Sequence, residues 1–455
     1  MSEGGNQSSY TVKSYHFIAI GGAVMHNLAL ELLAHGHQIT GSDDEIFDPA
    51  RTRLKNAGIL PADLGWFPEK IHTELDGIIL GMHARADNPE LKLAQELGIR
   101  VYSFPEFIYE HSRNKKRIVI GGSHGKTTCT AMLMHVLQHC GMDFDYLVGS
   151  QLQGFERMVR ISHAPLIVIE GDEYLTSTLH PVPKFHVYKP HLAMLTGIAW
   201  DHVNVFPTFG NYLEQFRIFL QTLEPGAKTF WFGGDEHLNQ LAEELHLQGR
   251  AYTEPRYEVS EEGTTVYIGD RTYALRIFGR HNLQNAAGVA LLAAELGISE
   301  HAFWQAMQNF GGTARRLEKM AETDTCIVYR DFAHAPSKVK ATVQAVREQY
   351  PGRRLIAVFE VHTFSSLQPG FMREYGGTLA PADAAFVLFD PHVFALKKMQ
   401  VPEASEIESA FGVGKAFSQT QELREAVKNE LQKGPAVLLL MSSGNFGGLL
   451  HTDFF

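Results

Sequence analysis

The sequence predicts an α/β protein of three consecutive domains. Short apolar, β-branched runs alternate with helical stretches along most of the 455 residues, the pattern of parallel sheets covered by helices. One of those strands, Arg117 to Ile120, runs into a glycine-rich turn and then a helix that carries Gly-Lys-Thr. A polar stretch, His111 to Lys116, separates that unit from an earlier β–turn–α–β pattern, and a further series of strands and helices begins near Phe310.

Composition bounds the rest. With 44% hydrophobic and 20% charged residues the chain can bury ordinary globular cores. No apolar run approaches the ~18 residues of a membrane span. The polar start, Met1 to Tyr10, lacks the basic and apolar regions of a secretory signal. Cys129, Cys140 and Cys326 are scattered without metal-ligand spacing, which predicts reduced thiols and a cytoplasmic location. The formal charge of -11 argues against general nucleic-acid binding, so an anionic substrate must be captured by local cations and helix N-termini.

In order, Tyr15 to Ile20 reads as a strand, Gly21-Gly22-Ala23 opens a helix ending near Gly36, and His37 to Thr40 is the next strand, closed by Gly41-Ser42-Asp43-Asp44. An acid about twenty residues beyond the glycines outlines a nucleotide-binding half. The three glycine positions of that fingerprint hold Ala19, Gly21 and Val24, so a purely structural turn reads equally well. A strand at Gly77 to Leu80 leads to Arg85, Asp87, Asn88 and Glu90 and another helix.

The central stretch is the strongest signal. Gly122-Ser123-His124-Gly125-Lys126-Thr127-Thr128 joins a buried strand to a helix over Thr127 to Gln138. Unpaired N–H groups at the helix start, the helix dipole and the Lys126 ammonium converge on one anion, and the Thr127 hydroxyl is placed for Mg²⁺. The loop is shorter than the standard motif, whose first glycine would fall at Ile120. These features predict an ATP site. Downstream, the strand Pro165 to Ile169 ends in Glu170, Asp172 and Glu173, which reads as a second Mg²⁺ anchor or as a solvated turn. The strand His191 to Thr196 is followed by Asp201-His202, a candidate ligand, and His281-Asn282 with Asn285 begin a long helix, as nucleotide contacts or a simple cap. Beyond Phe310, strands at Cys326–Tyr329, Leu355–Glu360, Ala384–Phe389 and Ala436–Met441 alternate with helices and imply a second open parallel sheet.

Taken in order, Gly-Gly-Ser-His-Gly-Lys-Thr-Thr, Glu-Gly-Asp-Glu, Asp-His, His-Asn-x-x-Asn, Arg-Arg-x-Glu and Asp-Phe-Ala-His-x-Pro resemble the Mur ligase family over nearly the whole chain. These are the ATP-dependent amide-forming enzymes of peptidoglycan precursor synthesis. The resemblance implies an N-terminal Rossmann-like domain for a UDP-sugar (1–114), a central P-loop ATPase-type α/β domain (115–309) and a C-terminal Rossmann-like domain (310–455). Ile20-Gly21-Gly22, Gly41-Ser42-Asp43 and Asp87-Asn88-Pro89-Glu90 are similar to the branch that handles UDP-N-acetylmuramate.

What the resemblance implies can be placed residue by residue. Gly122 to Thr128 would cradle ATP, with Lys126 on the β- and γ-phosphates. Thr127 and Glu170 would bind a first Mg²⁺, and His202 would stand at a second. His281, Asn282 and Asn285 would contact adenine, while Arg316 and Asp331 would reach ATP from the third domain. Gly21 and Gly22 would meet the UDP diphosphate, with Ser42, Asp43, Asp87 and Asn88 at the same substrate. His334 would face the incoming amine, with His362, Thr363 and Ser366. Three positions depart from the family pattern: Gly197 replaces the asparagine usual before Asp-His, Arg330 a first aspartate, and Ala335 a second histidine.

The amine substrate is either L-alanine or the preformed tripeptide L-Ala-γ-D-Glu-meso-diaminopimelate. Alanine-adding members carry His-Arg-Tyr-Thr-Arg where this chain has His362-Thr363-Phe364-Ser365-Ser366, so both guanidinium forks that grip a free alanine carboxylate are gone. Tyr188-Lys189-Pro190 and Phe446-Gly447-Gly448 resemble the tripeptide-adding members, while His362 matches the alanine-adding ones. The tripeptide is the expectation. A nucleotide-binding regulatory protein is the non-enzyme alternative, against which the intact Lys126, Thr127, Glu170 and His202 argue. Folate polyglutamate ligases share the ATP domain but begin directly with it.

Overall fold

The computed structural model describes residues 12–200, 205–260, 263–412 and 414–454. Two compact units are present: Met1–Val119 with Asp143–His191 and Thr222–Pro225, and Ile120–Met142 with Leu192–Gln221 and Gly226–Phe455.

The first unit opens with a parallel sheet of β1 (Ser14–Ile18), β2 (Gln38–Ser42), β3 (Gly77–Leu80) and β4 (Val101–Ser103), in the order β2-β1-β3-β4. The order reverses between β1 and β3, so their C-terminal ends flank the crevice in which open α/β sheets bind ligands. The first strand stops earlier than the expected Ile20 because Ala19 turns the chain with a φ of 66°. The second strand instead runs past Thr40 through Gly41 and Ser42. Ile18, Ile78, Leu80, Leu91 and Ala94 form the core on one face.

The polar stretch expected as a linker is a correction. His111 and Ser112 complete a helix, Phe104–Ser112, and Lys116 opens β5 (Lys116–Gly121), which leaves only residues 113–115 as a turn. The helix starts at a capping box: Glu106 accepts the Ser103 amide at 2.7 Å, and the Ser103 hydroxyl accepts the Glu106 amide. It buries Phe104, Phe107 and Ile108. That Ser-x-x-Glu signal is legible in the sequence.

The first unit also holds β6 (Asp145–Leu147), β7 (Val159–Arg160) and β8 (Leu166–Glu170), with β6 parallel to β8 and antiparallel to β7. In the second unit β9 (Leu192–Leu195), β10 (Lys228–Phe232) and β11 (Gly249–Tyr252) lie parallel. The helix Lys126–His139 packs against the helices Arg280–Glu295 and Glu300–Met307, which is why it is buried on almost every side.

An antiparallel meander of β12 (Arg256–Ser260), β13 (Gly263–Ile268) and β14 (Arg271–Leu275) was not anticipated. Its signal was present: Gly269-Asp270 is a two-residue hairpin turn between alternating strands. The last sheet runs β15-β16-β20-β17-β18-β19, comprising β15 (Glu318–Glu322), β16 (Cys326–Asp331), β17 (Arg354–Val361), β18 (Ala384–Phe389), β19 (Lys415–Phe417) and β20 (Ala436–Met441). It is parallel except for the edge strand β15. Both faces are buried. Ile327, Tyr329, Ala357, Phe359 and Leu439 face one core, and Val328, Ile356, Val358 and Leu438 face the other. That two-sided burial is the reason these strands read as continuous apolar runs.

The three cysteines are free thiols. Among the described residues no helix is long and apolar enough to cross a membrane.

Candidate functional site

The phosphate loop is pinned by its own unit. The Ser123 amide donates to Gly197 O at 2.9 Å and the Thr196 amide to Gly121 O at 3.1 Å. The Ser123 side chain is turned inward: its hydroxyl pairs with the Tyr212 hydroxyl at 2.9 Å and accepts the Ala199 amide at 2.8 Å. Ser123 therefore holds the loop to the strand end that follows β9. Gly125, at φ 79°, is the N-cap of the helix that begins with Lys126 and carries Thr127 and the buried Thr128 in its first turn. Lys126 Nζ donates back to Gly122 O at 2.7 Å, so its ammonium lies over the loop. A helix N-terminus and one ammonium over a glycine turn form an anion cradle.

One predicted nucleotide residue from a distant part of the chain, Asn285, lies against this loop, and others stand along and beyond the start of its helix. A Cβ on Gly125 would meet Asn285 Oδ1 at 2.8 Å, so the Asn285 amide lies directly against the turn. Asn282 donates from Nδ2 to Phe278 O at 2.9 Å, bracing the start of its helix. His281 stands beside Arg316, and burial together with that cation pushes its pKa down to about 4, so the ring is neutral at physiological pH. Arg316 lies 5.0 Å from the Phe332 ring centroid. On either side of it Arg315 and Leu317 hold φ of 58° and 46°, a left-handed conformation that L-residues adopt only under constraint. The constraint is Asp331, whose carboxylate accepts the Leu317 amide at 2.6 Å and the Ala333 amide at 2.7 Å. Burial raises the Asp331 carboxyl above its usual range, against the pull of Arg316 and these amides. His124 Nε2 meets the Ser337 hydroxyl at 2.5 Å, which ties the loop to the helix Pro336–Gln349. Sequence reasoning passed over Ser337 and Tyr212, which no motif marks, and gave no role to Phe332, although it lies within Asp-Phe-Ala-His-x-Pro.

For Mg²⁺, Thr127 and Glu170 offer hydroxyl and carboxylate oxygens, the hard donors that ion takes. Glu170 ends β8 in the first unit, where Oε2 accepts the Gly149 amide at 2.8 Å. His202 lies outside the described residues. Among the described residues no three His, Cys, Asp or Glu side chains are gathered as a metal cluster.

At the C-terminal end of β1, Gly22 is the N-cap of the helix Ala23–Ala34, and the Gly21 amide donates to Asp43 Oδ2 at 2.7 Å. Asp43 also accepts from the Glu45 amide, yet burial lifts its carboxyl above the usual range. Asp43 thus shapes the glycine turn. Ala19 takes the left-handed conformation that the first fingerprint glycine would supply, so the turn survives the substitution at a cost of about 1 kcal/mol. The Ser42 hydroxyl accepts Lys70 Nζ at 3.1 Å. Asn88 caps the helix Pro89–Glu96 through Glu90 and Leu91, while Asp87 pairs with Arg85 at the surface at 3.0 Å. Beneath the turn a fully buried His16–Glu90 pair, 3.3 Å apart, was also missed.

The predicted amine residues lie at the C-terminal ends of β16 and β17. His334 Nδ1 donates to Phe332 O at 2.8 Å, and the Tyr375 hydroxyl donates to His334 O. Thr363 and Ser366, where the forked arginines would stand, bond to each other instead: the Ser366 amide donates to Thr363 Oγ1 at 3.2 Å and the two hydroxyls lie 3.0 Å apart. Lys397 Nζ donates to His362 O at 3.3 Å, which places one ammonium beside the segment. The Glu360 carboxylate accepts the Ser442 hydroxyl and the Phe446 amide, bringing the end of β20 against β17.

Comparison with known proteins agrees with this architecture. Three family models match in succession: the Mur ligase family catalytic domain over residues 14–116, the Mur ligase middle domain over 120–293, and the Mur ligase glutamate ligase domain over 315–444. A UDP-N-acetylmuramate–L-alanine ligase of Streptococcus pneumoniae (strain JJA) is 32% identical, covering 82% of this chain and 83% of that protein. The UDP-N-acetylmuramate–L-alanyl-γ-D-glutamyl-meso-2,6-diaminoheptandioate ligase of Escherichia coli (strain K12) is 28% identical over 95% of this chain and 96% of its own. A murein peptide ligase structure from Psychrobacter arcticus superposes with a TM-score of 0.65, covering 97% of this chain and 98% of that one at 22% identity. The chain therefore belongs to the Mur ligase family, the ATP-dependent ligases of peptidoglycan synthesis.

Proposed function

We propose that this ligase joins the lactyl carboxylate of UDP-N-acetylmuramate to the α-amine of L-Ala-γ-D-Glu-meso-diaminopimelate, a step of peptidoglycan recycling in the cytoplasm. The observation that carries the choice is the segment after β17. At the two positions where alanine-adding relatives hold guanidinium forks, Thr363 and Ser366 close a turn on each other. A small free carboxylate next to the reacting amine finds no fork there, whereas in a tripeptide that carboxylate is already an amide and needs none.

The lactyl carboxylate attacks the γ-phosphorus, ADP leaves, and the acyl phosphate is then attacked by the amine, with inorganic phosphate as the second leaving group. The protein forms no covalent bond to substrate; it positions and neutralises. Lys126 and the N–H groups of the loop Gly122 to Thr128 hold the transferred phosphate, with Asn285, Asn282, His281, Arg316 and Asp331 around the nucleoside. Thr127, Glu170 and His202 would hold Mg²⁺ as two ions, which offsets the repulsion between carboxylate and triphosphate. Gly21, Gly22, Ser42, Asp43, Asp87 and Asn88 form the UDP-sugar end. His334, His362, Thr363 and Ser366 face the amine. The domains that supply these parts are 1–114, 115–309 and 310–455.

L-Alanine is the second reading, favoured by His362 and by the names of several relatives. An amine panel with UDP-N-acetylmuramate and ATP-Mg²⁺, scored by product mass, decides. The tripeptide adduct is expected to form faster. If L-alanine at equal concentration is joined faster, the tripeptide assignment is wrong.

A further inference from the structure

The first unit contains a cavity of about 510 Å³ that the ligase reaction does not use. It opens at the N-terminal ends of β1 and β5, the opposite sheet edge from the glycine turn after β1, beside Lys13, His35, His37, His111, Asn114 and His163. Among the described residues its lining holds no aspartate or glutamate, in a chain of formal charge -11. Its size lies within the range of small-molecule sites.

The hydrogen bonds fix how the imidazoles face it. His37 Nδ1 accepts the Lys13 amide at 3.2 Å, which leaves the ring proton on Nε2 as a donor. His111 Nδ1 donates to Phe107 O at 2.9 Å, and His35 Nδ1 donates to Glu31 O at 2.8 Å, so in both neutral rings Nε2 carries the lone pair. His111 is held flat on Phe107, ring centroids 4.0 Å apart. The Lys115 ammonium is already committed to Asp145 at 2.6 Å and to the carbonyls of Ser162 and Ala164, which leaves Lys13 as the cavity's ammonium. The nearby carboxylates are outside the lining: Asp76 accepts the Ser14 amide, Glu31 takes the Arg157 guanidinium, and Glu110 pairs with Arg100 and Arg113. Tyr15 and Tyr102 pack edge-on against Phe107.

We propose that this cavity binds the phosphate monoester of a small molecule, with the phosphate held by Lys13 and the imidazoles of His37 and His111. A phosphate offers several acceptor oxygens, which the Lys13 ammonium, the His37 Nε2–H and His111, once protonated, can fill, and the remaining volume, walled by Leu32 and Ile161, takes an attached organic group. Burial and the neighbouring Lys13 and His37 hold the His111 pKa below its ordinary value, with Glu110 opposing. A bound dianion reverses that balance, so binding takes up a proton and strengthens as pH falls from 8 to 6.

The test titrates the full chain, with ATP analogue and Mg²⁺ saturating the phosphate loop, using glucose 1-phosphate, inorganic phosphate and glucose in separate calorimetric arms. Glucose 1-phosphate should bind at one saturable site at pH 6 and about tenfold more weakly at pH 8. Inorganic phosphate should bind about tenfold more weakly than the ester, and glucose not at all. Lys13→Gln, an exposed position, and His111→Gln should each weaken the ester about tenfold while leaving the ligation rate unchanged. No saturable heat, equal binding at both pH values, or binding indifferent to Lys13→Gln overturns the proposal. Equal affinity for phosphate and the ester overturns the assignment to a monoester.

Discussion

Gly122→Ala is the sharpest test of the phosphate loop. Gly122 sits at φ 124°, a conformation open to glycine and strained for any residue with a Cβ. An added Cβ would overlap the Thr196 hydroxyl and come to 2.8 Å from the Thr196 amide nitrogen and 3.2 Å from Gly197 O. Two of these are backbone atoms at the end of β9, so no side-chain rotation relieves the clash. The backbone strain costs about 1–3 kcal/mol, and forcing the loop from the strand adds about 1–3 kcal/mol more. The displacement also breaks the bonds Ser123–Gly197 and Thr196–Gly121 that aim the loop amides. Losing one aligned donor at a transferred phosphate lowers turnover about 100-fold. Phosphate release dependent on UDP-N-acetylmuramate, with a thermal melt of the same sample, reads both effects. Gly210→Ala is the control: it lies early in the helix Phe209–Gln221 with nothing within 4 Å of its Cβ position, and should be neutral or slightly stabilising. If Gly122→Ala melts with the parent and turns over within about twofold of it, the rigid-loop reasoning is wrong.

Lys126→Ala should cut phosphate release at least ~100-fold, because it removes the loop's ammonium, with a smaller effect on the melt from losing its bond to Gly122 O; turnover within severalfold of the parent would reject the ATP-site assignment. Arg117→Leu should destabilise by about 3–5 kcal/mol, since the buried guanidinium serves the carbonyls of Ser112, Arg113, Tyr188 and Lys189 as well as Glu224; a urea midpoint equal to the parent's would contradict this. For His281, the folded pKa of about 4 lies below the ordinary 6.5, so the unfolded chain binds the extra proton between those values. Its contribution is complete above pH 6.5 and is lost as pH falls toward 4, up to about 3 kcal/mol. His281→Gln should therefore lose less stability than the parent between pH 7 and 4.5, and identical acid limbs in urea titrations would refute it.

The sequence by itself determined the strands that are buried on both faces and the phosphate loop. Ala384–Phe389 and Ala436–Met441 stand where the apolar runs placed them, because a strand buried on both faces must be apolar at every position. Gly-Lys-Thr at a strand–helix junction is likewise legible, since the chemistry needs those residues in local succession. The meander β12–β14 and the helix Phe104–Ser112 carried local signals, a Gly-Asp turn and a capping box, overshadowed by the stronger glycine motifs around them. Tertiary structure alone decided the rest. Asn285 against Gly125, Ser337 on His124 and Tyr212 on Ser123 join residues 89 to 213 positions apart, or bring a helix start to a distant turn, and no spacing rule encodes such meetings. It also showed that Asp43 Oδ2, Asn88 Oδ1 and the Ser123 hydroxyl each accept a backbone amide in the described structure, beside the ligand roles proposed for these residues. A polar side chain near a glycine turn reads the same in sequence whether it shapes the backbone or meets a ligand. Packing supplies the backbone partners of these side chains, and no local spacing names them.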